Sequence, residues 1–97
     1  MSAYMLAQIQ IDDPEEYQKY LGGFMPIFER HGGELLATSK NQTTVIEGSW
    51  AHPGTVIMKF PNIESAQAWF DDPDYKALAE IRHRSAQANL VLVEGIS

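Results

Sequence analysis

The side chains whose types and spacing could do chemistry are a cation, a carboxylate and an imidazole: Arg82, Glu47 and His52. Arg82 follows Tyr75, Leu78 and Ala79 at helical spacing, on a stripe that continues to Ala86 and is otherwise apolar. A cation on such a stripe needs a partner, because burying it alone is costly. That partner could be the carboxylate or enolate of a small bound molecule, held by charge-assisted hydrogen bonds. It could equally be an internal carboxylate such as Glu47 or Glu94, or the guanidinium could snorkel to water at an edge. Glu47, Trp50 and His52 fall in and just after a strand end. Together they could hold a polar aromatic ligand, with His52 as a general base because its ordinary pKa lies near neutrality. The bland alternative is that Ala51-His52-Pro53-Gly54 is a plain turn and Trp50 plugs an interface.

Tyr4, Tyr20, Trp69 and Tyr75 form the aromatic group that could line a pocket, with Tyr17 and Phe70 beside them. Most should be core, yet Tyr4 and Tyr20 could each present a hydroxyl, and Gln8 and Gln10 could donate to a ligand carbonyl. His31 precedes Gly32-Gly33 and suits a helix C-terminus, whereas His83, between Arg82 and Arg84, should point outward. The pairs Asp12-Asp13 and Asp71-Asp72 are each followed by proline and are better read as helix caps than as acid–base or metal groups. No two histidines lie at i, i+3 or i+4, so the expectation is no metal site and no cofactor.

A chain of 97 residues with a net charge of −6 and no cysteine is bounded by those numbers. It has the length of one domain, residues 1–97, with a modest core that a partner subunit would help. Scattered basic residues argue against nucleic acid, and the acidic balance argues against an anionic membrane. The missing cysteines remove disulfides and thiolate chemistry together. The opening Met1-Ser2-Ala3-Tyr4 lacks a basic stretch and a long apolar run, so no signal peptide is expected and a cytoplasmic location follows by default.

The elements that must position these residues follow from periodicity. Tyr4 to Ile11 alternates as a strand, with Met5, Ala7, Ile9 and Ile11 on the face that helices should cover. Its other face, Tyr4, Leu6, Gln8 and Gln10, is apolar at one end and amide at the other. Asp13-Pro14-Glu15 starts a helix whose stripe is Tyr17, Tyr20, Leu21, Phe24 and Phe28. Pro26 should kink or break it, and Gly32-Gly33 should end it. Glu34 to Ser39 and Thr43 to Glu47 read as two strand pieces around a polar turn, followed by a loop to Gly54 and a strand from Thr55 to Phe60. Asn62 caps a second helical region with Ile63, Ala66 and Trp69 or Phe70 facing inward, and Pro73 starts a third. Leu90 to Glu94 is apolar on both faces, as in a strand covered on both sides. The order β-α-β-β-α-β predicts an α+β, ferredoxin-like fold: an antiparallel sheet with helices on one face. The uncovered face is too apolar for open water, which predicts a homodimer.

Several stretches occur here in the order seen in one family: Asp13-Pro14-Glu15 with Tyr17 and Tyr20, Gly32-Gly33, Glu47-Gly48-Ser49-Trp50, Trp69-Phe70-Asp71-Asp72-Pro73-Asp74-Tyr75, Ile81-Arg82 and Leu92-Val93-Glu94-Gly95. On these residues the chain resembles the bacterial domain-of-unknown-function family 1330, within the dimeric α/β-barrel superfamily. The resemblance implies the fold and the dimer. It implies no single reaction, since the superfamily includes cofactor-free monooxygenases, isomerases, haem-degrading enzymes and stress-response proteins.

The leading expectation is a dimer that binds a small apolar molecule bearing a carbonyl or an anion. If it is an enzyme, cofactor-independent isomerase or oxygenase chemistry is expected, with Arg82 orienting the ligand and Glu47 or His52 moving a proton. A second reading is a haem-degrading oxygenase. The fold and Trp69 permit it, although Gln8 stands where the first strand of such enzymes carries asparagine and no histidine is placed as an axial ligand. A third is a non-enzymatic, stress-related or partner-binding dimer in which these polar residues are structural.

Overall fold

Alternation in the first strand decides how the sheet is covered. In a computed structural model, which describes residues 1–97, strand β1 spans Ala3–Ile11 and buries Ala3, Met5, Ala7 and Ile9 on one face. It pairs antiparallel on one side with β3, Gly54–Phe60, and on the other with β4, Ala86–Glu94. Strand β2, Glu34–Ala37, adds to the far side of β3, so the sheet order is β2-β3-β1-β4. Helices α1 (Pro14–Arg30), α2 (Ile63–Asp71) and α3 (Pro73–Ser85) complete the chain. The buried cluster draws on the helices and the Met5/Met58 face of the sheet, so the helices form one layer on one face. The resulting βαββαβ order, its last helical stretch divided in two, is the ferredoxin-like arrangement.

Local sequence sets the helix ends. Asp13 accepts from the Glu16 amide at 3.2 Å and Pro14 takes the first turn of α1. Asn62 caps α2 through the Ser65 amide at 2.7 Å. Asp72 closes α2 and caps α3 through the Asp74 amide at 2.8 Å. The same carboxylate takes His31 at 2.7 Å and Arg30 at 2.8 Å from the end of α1. These bonds, His31 first and Arg30 second, hold the Asp72 carboxyl well below the usual carboxylate range. Gly32, at φ 78°, then turns the chain toward β2 in a left-handed conformation that suits glycine.

Three expectations need correction. Of the kink or break expected at Pro26, the break does not occur: α1 runs through it. A proline inside a helix costs about 3 kcal/mol, but Tyr17, Tyr20, Phe24 and Phe28 on one stripe each return about 1.5–3 kcal/mol of burial. The nearby Gly23 serves packing: a Cβ there would sit 2.9 Å from a Leu78 methyl, so its absence lets α3 lie close to α1. Thr43 to Glu47 forms no strand, because β2 leaves the ladder after a bulge between Leu35 and Ala37, and the segment makes no backbone–backbone hydrogen bond to another strand of the chain. Finally, Ala86 belongs to β4 rather than to the α3 stripe, since the ladder with β1 begins at Ile11 and Ala86.

Trp69 is the hub of the core. Its ring centroid lies 4.2 Å from Tyr75, 5.6 Å from Phe60, 5.7 Å from Phe28 and 5.8 Å from Phe24. These are distances at which aromatic pairs add to simple burial. Phe28, fully buried between Trp69 and Phe60, joins α1 to the sheet. Phe28→Ala should cost about 3–5 kcal/mol in a urea titration; a loss under about 1 kcal/mol would mean the cavity collapses. Asp72 makes a separate prediction. Its carboxyl is depressed in the folded state, so its contribution is complete above about pH 4 and is lost as pH falls through the folded value. Asp72→Asn should flatten the fall in melting temperature below about pH 4, and an unchanged acid slope would contradict that role.

Candidate functional site

A cavity of about 80 Å³ lies between the sheet and the helices. Helix α1 contributes Tyr17, Tyr20 and Phe24 from successive turns of its buried stripe, and Trp69, Tyr75 and Arg82 come from α2 and α3. Alternate residues of β1, Ala7 and Ile9, form part of its floor. Thr38 and Ser39, just after β2, also line it.

The polar content of this cavity is unusual for a core. Arg82 is only 7% exposed, yet no carboxylate lies within ion-pair distance of it. Its one side-chain hydrogen bond is to Nε2 of the adjacent His83, at a long 3.4 Å. Its Nε is buried and has no acceptor, and the buried Trp69 Nε1 has none either. Buried donors are rarely left without an acceptor. Tyr20 and Tyr75 meet hydroxyl to hydroxyl at 2.7 Å. Burial, and then Tyr75, push the Tyr20 phenol far above its ordinary value, so it stays protonated. Burial also raises Tyr17, although the Arg82 charge opposes that rise. One phenol donates to the other, which leaves one O–H free. The lining includes no Asp, Glu or His. The site therefore presents hydrogen-bond donors and one positive charge, with no side chain suited to take a proton.

The structure divides the residues singled out in the sequence between two faces. Arg82, Tyr20, Trp69 and Tyr75 meet at the interior cavity. Glu47 and Trp50 lie instead along an open cleft of about 550 Å³ on the other side of the sheet, beside Leu6 and Ile57. Tyr4 and Gln8 are on that face too: Tyr4 lies opposite Lys59 and Val93, and Gln8 opposite Thr55 and Asn89. Gln8 accepts from Asn89 at 3.4 Å. His52 sits in the loop before β3, with its Nδ1 buried and unpaired. The sheet thus separates Arg82 from Glu47, and the expected ion pair of Arg82 with Glu47 or Glu94 does not form. Sequence reasoning left Tyr17 and Phe24 as core and Ser39 as turn. Tyr17, one turn before Tyr20 on the same stripe, was the available signal.

No group of three or more His, Asp or Glu side chains is placed to hold a metal ion, and no helix is long and apolar enough to cross a membrane.

Comparison with known proteins places this geometry in context. No curated protein matches the chain. A solved protein of unknown function from Rhodopseudomonas palustris aligns with a TM-score of 0.77 at 18% identity, over 99% of this chain and 83% of its own. A dimeric ferredoxin-like protein of unknown function from Thermobifida fusca aligns with a TM-score of 0.61 at 12% identity, over 98% and 92%. SnoaB, a cofactor-independent oxygenase from Streptomyces nogalater, aligns with a TM-score of 0.65 at 8% identity, over 99% and 94%. At these identities the likeness is one of fold. The sequence itself goes further: residues 2–96 match the domain of unknown function (DUF1330), and the chain belongs to that family.

Proposed function

We propose that this protein binds a small, mostly apolar molecule carrying a carboxylate, enolate or carbonyl group, in the cavity between its sheet and its helices. The observation that carries this reading is the buried Arg82 with no internal counter-charge. An unpaired buried cation destabilises a fold, so its presence is best accounted for by an anionic group that arrives from outside. The aromatic walls accept the apolar part of the ligand. Arg82, the free phenolic O–H and the unpaired indole N–H address its oxygens. Such donors stabilise developing negative charge, which is what cofactor-independent isomerases and oxygenases require. The likeness to the oxygenase from Streptomyces nogalater supports the same direction. A proton acceptor is missing from the cavity, so the chemistry suits a ligand that arrives already ionised. A cavity of about 80 Å³ favours a small ligand over a haem macrocycle.

The protein works as a homodimer through the open face of its sheet. Val91 and Val93 are about half exposed there, beside Leu6 and Ile57. The dimeric description of the Thermobifida fusca protein supports this.

The test of the pocket is Arg82→Met, followed by calorimetric titration with small aliphatic and aromatic carboxylates and by thermal melting. Loss of charge-assisted bonds worth about 1.5–3 kcal/mol should weaken binding by about 10-fold to 100-fold. The fold should be unchanged or more stable, because a buried unpaired charge has been removed. Unchanged binding in the variant would refute the assignment. A loss of stability with no carboxylate binding to either protein would make Arg82 a structural residue.

A further inference from the structure

We infer that the ligand of the interior cavity is a short-chain oxo acid, a carboxylate that also carries a ketone or aldehyde carbonyl, with the Tyr20–Tyr75 hydroxyl pair selecting that carbonyl over the matching alcohol. This rests on the carboxylate pocket proposed above and adds to it the class of molecule that fills it.

Donors and acceptors in the cavity do not balance. Arg82 Nε and Trp69 Nε1 are both buried without an acceptor. Tyr20 and Tyr75 share a single hydrogen bond at 2.7 Å, so the pair keeps one O–H to give. Burial holds Tyr20 as the neutral phenol, which keeps that proton on the pair. These donors form one group. The Trp69 and Tyr75 rings lie 4.2 Å apart, and the Arg82 charge acts on both Tyr17 and Tyr20.

Acceptors are scarce by comparison. The lining has no Asp, Glu, His, Asn or Gln. Its hydroxyls are those of Tyr17, Tyr20 and Tyr75 and, at the part-exposed turn after β2, of Thr38 and Ser39. Thr38 is engaged within that turn, where it accepts from the Lys40 amide at 3.3 Å.

A ligand suited to this site brings acceptors and no donor of its own. A carboxylate offers two oxygens and a carbonyl a third, none of them carrying a hydrogen. These match the Arg82 Nε, the Trp69 Nε1 and the free phenolic O–H. An alcohol in place of the carbonyl adds an O–H for which the lining holds only neutral hydroxyl oxygens. If a phenol of the pair accepts from it, the pair's own free O–H is left unpaired, and a buried donor without an acceptor is costly. The cavity of about 80 Å³ is smaller than the roughly 150 Å³ that takes benzene, which limits the ligand to about three or four carbons.

Calorimetric titration of the full chain with two matched sets tests the class: pyruvate, lactate and propionate, then acetoacetate, 3-hydroxybutyrate and butyrate. In each set the oxo acid should bind at least about 10-fold more tightly than the other two. Tyr20→Phe/Tyr75→Phe removes both hydroxyls together, so neither is stranded and the fold should stand. In that variant the preference for the oxo acid should fall below about 3-fold, while the plain carboxylates are still held by Arg82. Equal binding within each set would overturn the oxo-acid assignment and leave the carboxylate pocket standing. A preference that survives in the double variant would overturn it as well, because other groups would then be reading the carbonyl. No binding of any of these acids to the unaltered protein would overturn the pocket and the assignment together.

Discussion

A four-stranded sheet has two faces, and this chain has helices for only one of them. Everything else in the structure answers to that constraint. On the covered face the strands contribute Met5, Ala7, Ile9, Met58 and Phe60, and the helices return a nearly all-aromatic layer centred on Trp69. On the other face the same strands present Leu6, Ile57, Val91 and Val93, a band too apolar to be a designed water surface. A domain is normally closed by packing every apolar face against another element. Here the chain itself supplies no second layer for that face.

The covered face carries a second tension. A 97-residue chain has little stability to spare, yet the middle of its helix layer holds Arg82 with no carboxylate beside it. The surroundings do not relieve that charge. Tyr17 and Tyr20 are held protonated by burial and cannot serve as counter-ions at neutral pH. A structural reason for the cation would have supplied a partner from among the many acidic residues, and three of the chain's other cations show this: Arg30, Lys19 and Arg84 all have one. The other unpaired cations, Lys40, Lys59 and Lys76, are not buried; Arg82 is the buried one, and it lines the cavity.

How much of this was legible in the sequence follows from which interactions are local. The caps at Asp13, Asn62 and Asp72 could be read because each acts within three residues of itself. The stripe Tyr17, Tyr20, Phe24, Phe28 and the position of Arg82 could be read because helical spacing fixes a face. Pro26 offered a break that does not occur, because the rule is local and the aromatic burial that overrides it is tertiary. The grouping of Arg82 with Glu47 and His52 misled for a related reason. Periodicity says which residues share a face of one element, and it does not say on which side of the sheet a loop will fall. The unpaired Trp69 Nε1 and the Tyr20–Tyr75 bond, 55 residues apart in sequence, had no sequence signal at all.

The two faces are not independent, because β1 belongs to both. Its even and odd residues alternate between them: Ala7 and Ile9 form part of the cavity floor, while Leu6 and Gln8 form part of the open face. β1 is also a central strand, hydrogen-bonded along its length to β3 and β4. Anything that packs against Leu6 therefore fixes the backbone on which Ala7 stands, at a spacing of one residue. A ligand in the cavity would press on the same strand from the other side. In a close-packed interior such displacements are transmitted rather than absorbed. The proposed self-association and the proposed ligand binding would thus meet at a single strand, and the sharing of β1 is the physical route by which one would influence the other.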